Sequence, residues 1–572
     1  MRPQRCTALL PIAALGIQST SARVGRLAPR DAACRKTSVA ILGGGMAGVT
    51  AAQALSNNSI TDFVIIEYND RLGGRATQAD FGKQDDGSPY VVELGPNWVC
   101  IVAKHFRLPP WWWSPMGRRE TNRPESDLGS GQSGRPGVST ENPIWTLAKK
   151  HKLKNTPSNY SSILTYDENG HTDYSRMLDE YDAAWAKASA RAGRMLAENM
   201  QDETARAGLA LAGWNPRHGD MKRQAVEWWR WDWDAALTPE ESSLIFGAAG
   251  DNLTFHQFSD QNNLVVDPRG YGHIVQEESR TFLGADDRRL LLGTRVTNIT
   301  YSDDGVTVHN ADGSCVSAAY AICTFSLGVL QNAGADAVAF RPELPEWKRV
   351  AVQKFTMGTY TKVFLQFNET FWPADTQYFL YASPTRRGHF PVWQSLSADG
   401  FLPGSNIIFA TAVEQASYRL EQQTDEQTKH EALEVLRQMF PGVTVPEPLA
   451  FMYPRWTSTP WSYGSYSNWP VGTTLEMHQN LRANTGRLWF AGEATSAQYF
   501  GFLHGAWFEG MEAGSRVAAL LRGECADAHD AHDAPRCGDR PHYDPLHGTS
   551  PLEDYRAPNG WAASSFYASR PE

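Results

Sequence analysis

Near the amino end the chain reads "SVAILGGGMAGVTAAQAL": a short apolar run, then Gly43-x-Gly45-x-x-Gly48, then an alanine-rich stretch of helical pattern. Nineteen residues beyond the last glycine, "DFVIIEYNDRLGGRA" supplies a second apolar run that ends in Glu67. Each part has a physical task. Gly43 allows a tight turn, Gly45 lets the backbone approach a pyrophosphate, and Gly48 lets the helix pack closely on the strand. The helix start offers N–H groups and a positive dipole to phosphates. Glu67 is placed to accept hydrogen bonds from ribose hydroxyls. Strand, glycine turn, helix, strand and acid in this order predict an α/β unit that binds a dinucleotide, against the plainer reading of a glycine turn in an ordinary α/β unit.

A second glycine pair, Gly73 and Gly74, stands between Arg71 and Arg75, and guanidinium groups beside a flexible turn form a good clamp for a pyrophosphate. Far along the chain, "RLWFAGEATSAQYFGFLHGAWFEGMEAG" again runs from an apolar strand into glycines, an acid at Glu493 and a small-residue helix. A carboxylate at a strand end beside a helix start points to a ligand with hydroxyls. Both ends of the chain therefore converge on one ligand. With 572 residues the chain exceeds what one hydrophobic core supports, so two domains, or a discontinuous pair, are expected.

The stretch "YTKVFLQF", Tyr360 to Phe367, alternates as a strand, with Thr361, Val363, Leu365 and Phe367 on one face and Tyr360, Lys362, Phe364 and Gln366 on the other. On its own, Lys362 reads as a surface lysine whose stem lies over its neighbours. Between the glycine segments, "LDEYDAAWAKASARAGRMLAENM", "DETARAGLALAGW" and "EQQTDEQTKHEALEVLRQMF" have helical patterns, and "RLLLGTRVTNITYSDDGVTVHNADGSCVSAAYAICTF" reads as hairpins with turns at "SDDG" and "ADG".

Taken with "VELGPNWV", "VVDPRGYGHIV", "FSLGVLQ" and "YSNWPVG", these segments resemble the flavin-dependent amine oxidase family, and within it the plant and fungal polyamine oxidases. The resemblance runs over roughly residues 37 to 525. It implies an α/β fold: a discontinuous Rossmann-like FAD-binding domain (37–99, 262–330 and 472–523) and an α+β substrate domain of mixed sheet and helices (137–261 and 331–471). FAD is the implied cofactor. Gly43, Gly45, Ala47, Gly48, Glu67, Arg71, Arg75, Gly95, Pro96, Asn97, Trp98, Trp456, Glu493 and Phe502 are the implied cofactor contacts, and the backbone of Val296 should hold the adenine. Lys362 matches the lysine that holds a water at flavin N5. Tyr466 and Phe502 match the aromatic pair that aligns the substrate carbon. The implied reaction moves a hydride equivalent from the carbon beside a secondary amine to flavin N5, giving an imine, then an aldehyde and an amine, with O2 reduced to H2O2.

In "RWDWDAALTPEES", Asp232 and Asp234 are candidate anchors for a cationic polyamine, Asp234 matching an acidic tunnel residue of the plant enzymes. Two solvated acids at a helix start are the alternative. A net charge of −10 disfavours nucleic acid as a partner. An oxidase of L-amino acids or monoamines, and a flavin-fold protein without turnover, remain open as rival functions. An amino-acid substrate would require an arginine in the aromatic site.

Residues 1–22 have the basic, apolar and small-residue order of a signal peptide, so a secreted protein is expected, with an untargeted cytoplasmic leader as the alternative. Five Asn-x-Ser/Thr sequons, at Asn57, Asn159, Asn252, Asn298 and Asn368, fit export. No apolar run is long enough to span a bilayer. A monomer is expected, and no metal-ligand spacing is found. Among the 7 cysteines, Cys525 and Cys537 form a candidate disulfide loop. Residues 100–136, with a tryptophan triplet and a Gly/Ser-rich end, interrupt the resemblance and read as translated intron or as a surface loop. Residues 524–572, rich in Pro, Asp and His, read as a disordered tail.

Overall fold

The computed structural model describes residues 33–100, 141–251, 258, 262–524 and 538–549. The expected signal peptide, nearly all of the 100–136 segment, Cys525 and Cys537 lie outside them.

Strand Arg35–Leu42 runs parallel to Phe63–Ile66 on one side and to Cys315–Cys323 on the other. Leu290–Leu291 and Leu488–Phe490 extend the parallel order outward. Three distant parts of the chain thus build one sheet. Val39 to Leu42 and Phe63 to Ile66 are buried on both faces, which a parallel sheet requires and which explains their unbroken apolar runs. The predicted hairpins form as Val296–Tyr301, Val306–Asn310 and Cys315–Cys323, antiparallel to one another. Strand Ala339–Arg341 then joins Val296–Tyr301 in parallel, so this sheet continues past residue 330, where the sequence reading had placed a boundary.

Helix Met46–Asn57 covers the sheet and is crossed by helix Leu503–Leu521. Glycine permits the crossing: a methyl group on Gly510 would lie 2.2 Å from the Ala47 carbonyl oxygen, and one on Gly514 would lie 2.4 Å from that of Ala51.

The second sheet has seven strands, in the order Ala450–Met452, Tyr360–Gln366, Ile407–Val413, Val392–Ser395, Tyr378–Tyr381, Ile163–Asp167 and Gly170–His171. Strand Tyr360–Gln366 keeps the predicted alternation. Val363, Leu365 and Phe367 pack with Leu433 and Leu436 of helix Asp425–Met439. On the opposite face Phe364 meets Phe81 and the Gln366 amide bonds the Lys83 backbone. Both faces are covered, so Lys362 is 1 % exposed and never reaches bulk water. The segment expected as a helix over 421–440 forms helix Asp425–Met439, started by a capping box of Thr424 and Gln427, and a separate short helix, Glu414–Glu421, precedes it. A small sheet of Trp98–Cys100, Asn262–Val265 and Asn155–Ser158 links the two halves.

One further expectation is corrected. Residues 538–549 are not a disordered tail: Arg540 is 1 % exposed, donates to the Arg482 and Phe490 carbonyls, and lies 3.2 Å from Glu509. Asn480 bonds Tyr543 in both directions, which fixes the strap to helix Leu475–Arg482. The described disulfide joins Cys34 to Cys315, 281 residues apart, because parallel pairing sets Arg35 opposite Val316. Among the described residues no helix is long and apolar enough to cross a membrane, and no group of three His, Cys, Asp or Glu is placed to hold a metal ion.

Candidate active site

A cavity of about 380 Å³ opens between the two sheets. One part of its wall is backbone. Gly43 turns at φ +112°, and Gly48 sits so close beneath that an added methyl would lie 1.9 Å from the Gly43 carbonyl oxygen. Gly48 therefore packs the helix, as predicted, and does not itself line the cavity. Gly45 and Gly73 form a bridge, and the Gly73 N–H donates to Gly44 at 3.0 Å. The two glycine turns lie side by side. Gly45 caps helix Met46–Asn57 without a side-chain hydrogen bond, which leaves first-turn N–H groups facing the cavity wall.

Glu67 borders the same wall. Its Oε2 accepts from the Gly44 N–H at 2.6 Å and its Oε1 from the Asn69 backbone and side chain at 2.8 Å. Burial pushes its carboxyl above the ordinary range, and these bonds oppose the rise. Val296 lines the wall at a point where the register slips before Asn298. Arg75 faces the cavity and ion-pairs with Glu493 at 2.9 Å, but Arg71 turns away and donates to Thr77. The expected clamp is therefore one arginine. Glu493 borders the cavity with its oxygens already engaged, by Arg75, by Ser467 at 2.6 Å and by the Gly501 N–H at 2.9 Å. It ties three chain segments together, a role that its strand-end position had not suggested.

Lys362 reaches towards the loop after strand Tyr90–Glu93, donating to the carbonyls of Glu93, at 3.1 Å, and of Gly95, and to Oδ1 of Asn97. These three acceptors match the three protons of an ammonium. Gly95 permits this loop path: a methyl there would meet the Arg75 carbonyl oxygen at 1.9 Å. Pro96 and Trp98 continue along the cavity.

Tyr466 and Phe502 are both cavity walls, although 36 residues separate them in the sequence. Gly501, at φ +79°, makes this possible: its added methyl would lie only 3.3 Å from the Tyr466 ring, so a larger residue would push the two segments apart. The Tyr466 hydroxyl donates to the Asp234 carbonyl at 2.9 Å, Phe502 stacks on His504 with centroids 5.3 Å apart, and Trp456 adds a further wall.

The acids of "RWDWDAAL" part company. A π-helical turn, Trp228–Asp232, runs into the short helix Trp233–Ala235, and residues two apart on a helix point to different sides. Asp232 is fully buried against Arg387, with Glu227 beside it, and does not line the cavity. The reading of Asp232 as a substrate anchor is thereby corrected. Asp234 opens into the cavity beside Trp233, Tyr160 and Tyr466. Enclosure by protein, reinforced by the charge of Asp251 and opposed by Arg230, pushes its carboxyl up to about 7.

Residues 130–518 match the family described as flavin containing amine oxidoreductase, and residues 41–108 match an NAD(P)-binding Rossmann-like domain. The chain belongs to the flavin-containing amine oxidoreductase family. It is 34 % identical over 495 residues to polyamine oxidase 7 of Oryza sativa subsp. japonica, covering 83 % of this chain and 93 % of that one. It is 34 % identical over 521 residues to polyamine oxidase 1 of Zea mays, covering 88 % and 94 %. A structure of putrescine oxidase bound to putrescine superposes with a TM-score of 0.59 over 85 % of this chain and 99 % of that one, at 15 % identity, a likeness of fold.

As a family member the protein is an FAD-dependent amine oxidase, and the wall described above fits FAD. The paired glycine turns and the uncapped helix start suit a pyrophosphate, and Glu67 keeps lone pairs for ribose hydroxyls. Burial pulls the Lys362 ammonium down and pushes the Glu93 carboxyl up, while their mutual attraction opposes both shifts. His504 is held neutral by burial, its pKa pulled down to about 3, beside Phe502.

Sequence reasoning missed Glu93, Tyr160 and Arg387. Glu93 lay inside a quoted motif, and its strand-end carboxyl was the available signal. Tyr160 and Arg387 carry no local signal, because they stand in turns far along the chain from Trp233 and Asp232, which only the folded chain brings them to.

Proposed function

We propose that this amine oxidase acts on polyamines such as spermine and spermidine as a monomer, with dioxygen as electron acceptor. The observation that carries the reading is the Asp234 carboxylate, open to a cavity whose neighbouring walls are the aromatic rings of Trp98, Tyr160, Trp233 and Tyr466. A carboxylate among rings attracts an ammonium through charge and through the ring faces. The described lining carries Arg75 and Arg295 but no arginine beside these rings, which disfavours an amino-acid carboxylate there. The names and coverage of the plant relatives support the same substrate class.

Bound FAD supplies the acceptor for the hydride equivalent that leaves the carbon beside nitrogen, and the electrons pass on to O2 to give H2O2. The chain's own residues do the rest. Tyr466 and Phe502 orient the carbon, with Tyr466 held by its bond to the Asp234 backbone. Asp234 holds a charged nitrogen of the substrate. The three ammonium protons of Lys362 are engaged by Glu93, Gly95 and Asn97, so it is suited to hold a water as the neutral amine that burial favours, accepting from the water and exchanging a proton with it. That water then adds to the imine, which collapses to an aldehyde and an amine.

Peroxide release by the purified yellow protein, assayed with spermine, spermidine, their acetylated forms and an L-amino acid panel, tests the proposal. Turnover confined to polyamines is the expected outcome. Turnover of amino acids alone, or none from any amine by flavin-loaded protein, overturns it.

A further inference from the structure

Four of the five sequons have a described asparagine, and they fall into two groups. Asn57 closes helix Met46–Asn57, Asn159 stands in the turn after strand Asn155–Ser158, and Asn368 follows strand Tyr360–Gln366; all three are exposed. Asn159 uses its Oδ1 to accept from the Ser161 N–H at 3.0 Å, which leaves its amide nitrogen pointing out of an open turn. Asn298 differs. It lies inside strand Val296–Tyr301, flanked by strands on both sides, is half-buried, and its Oδ1 is sealed from solvent without a hydrogen-bond partner. Its half-enclosed side chain, on a strand paired along both edges, leaves a carbohydrate less room than the three exposed asparagines do.

An independent observation concerns redox environment. Cys34 and Cys315 are joined across the paired strands Arg35–Leu42 and Cys315–Cys323 of the dinucleotide sheet, with Cα atoms 4.7 Å apart. Cytosolic thiol buffers keep such pairs reduced, whereas the secretory pathway oxidises them and is also where asparagine is glycosylated.

We propose that this protein matures in the secretory pathway and carries N-linked carbohydrate on Asn57, Asn159 and Asn368, with Asn298 unmodified. At each site a bond forms between Nδ2 and the anomeric carbon of a lipid-pyrophosphate-linked oligosaccharide. The anomeric carbon–oxygen bond breaks, and the amide proton leaves with the lipid pyrophosphate. The two thiols of Cys34 and Cys315 give up two electrons and two protons to a thiol oxidase of that compartment.

The test expresses the full chain in a eukaryotic secretory host and purifies the yellow, folded protein from the medium. Enzymatic release of N-glycans in ¹⁸O-water converts each occupied asparagine to labelled aspartate, which peptide mass spectrometry locates. Label is expected at positions 57, 159 and 368 and not at 298. Each of the single variants Asn57→Gln, Asn159→Gln and Asn368→Gln is expected to lose one glycan's mass while keeping its flavin spectrum. Alkylation before and after reduction is expected to reach Cys34 and Cys315 only after reduction. Absence of label at any of the three, label at 298, or a folded intracellular protein whose Cys34 and Cys315 are free thiols overturns the proposal.

Discussion

Among the described residues two lysines are buried almost completely, and they resemble each other in everything but surroundings. Lys348, on helix Glu346–Lys354, donates to the carbonyls of Asn480, Leu481 and Ala483 at the end of helix Leu475–Arg482. Lys362 donates to Glu93, Gly95 and Asn97. Burial pulls both ammonium groups below their ordinary range. Only Lys362 borders the cavity. Lys348 binds helix ends to one another, while Lys362 stands on the wall of the cavity in which we place the substrate. Burial and a perturbed pKa therefore do not by themselves mark a catalytic lysine; access to the reacting space does.

The largest expected effect separates this pair. Replacement of either lysine by methionine strands buried acceptors and should lower stability by about 2–4 kcal/mol, read by denaturant unfolding. Lys362→Met should in addition lower turnover per bound flavin by roughly 10²–10⁴-fold, the usual worth of a positioned proton-transfer group. Lys348→Met should keep the turnover of its folded fraction. Equal turnover losses in the two variants would break the comparison.

Asp232 and Asp234 sharpen it further. Asp234→Asn should raise KM for a cationic amine by roughly tenfold to hundredfold, as expected when a charge-assisted contact of about 1.5–3 kcal/mol is lost. Asp232→Asn should leave that KM unchanged and instead cost about 3 kcal/mol of stability by weakening the buried partner set of Arg387. A KM effect from Asp232→Asn would sink the division of roles drawn from the π-helical turn.

The smallest effect concerns pH. The Asp234 carboxyl is pushed up to about 7, so it is an anion above that pH and neutral below it. Cation attraction is therefore present at high pH and lost as pH falls. A quaternary ammonium inhibitor, whose own charge does not titrate, should bind about tenfold more weakly at pH 6 than at pH 8. In Asp234→Asn the same inhibition constant should be flat across that range.

Much of this was written locally. Alternation in "YTKVFLQF" gave both faces of its strand, the spacing of Gly43, Gly45 and Gly48 gave the turn, and "SDDG" and "ADG" gave the hairpins. What escaped the sequence reading depended on partners far along the chain. The packing of residues 538–549 rests on Arg540 meeting Glu509, and nothing in a Pro-, Asp- and His-rich stretch signals a partner in a distant helix. The Cys34–Cys315 pairing rests on strand register across 281 residues. The separate fates of Asp232 and Asp234 rest on a π-helical turn that side-chain type does not encode.

By itself, then, the sequence determined the periodic elements, the glycine turns suited to a dinucleotide, and the family to which the chain belongs. The tertiary structure decided which charges are spent inside the protein and which face the cavity. Periodicity and turn chemistry are properties of neighbouring residues, whereas the protonation and reach of a buried Lys, Asp or Glu depend on desolvation and on partners that only the folded chain brings within a few ångströms.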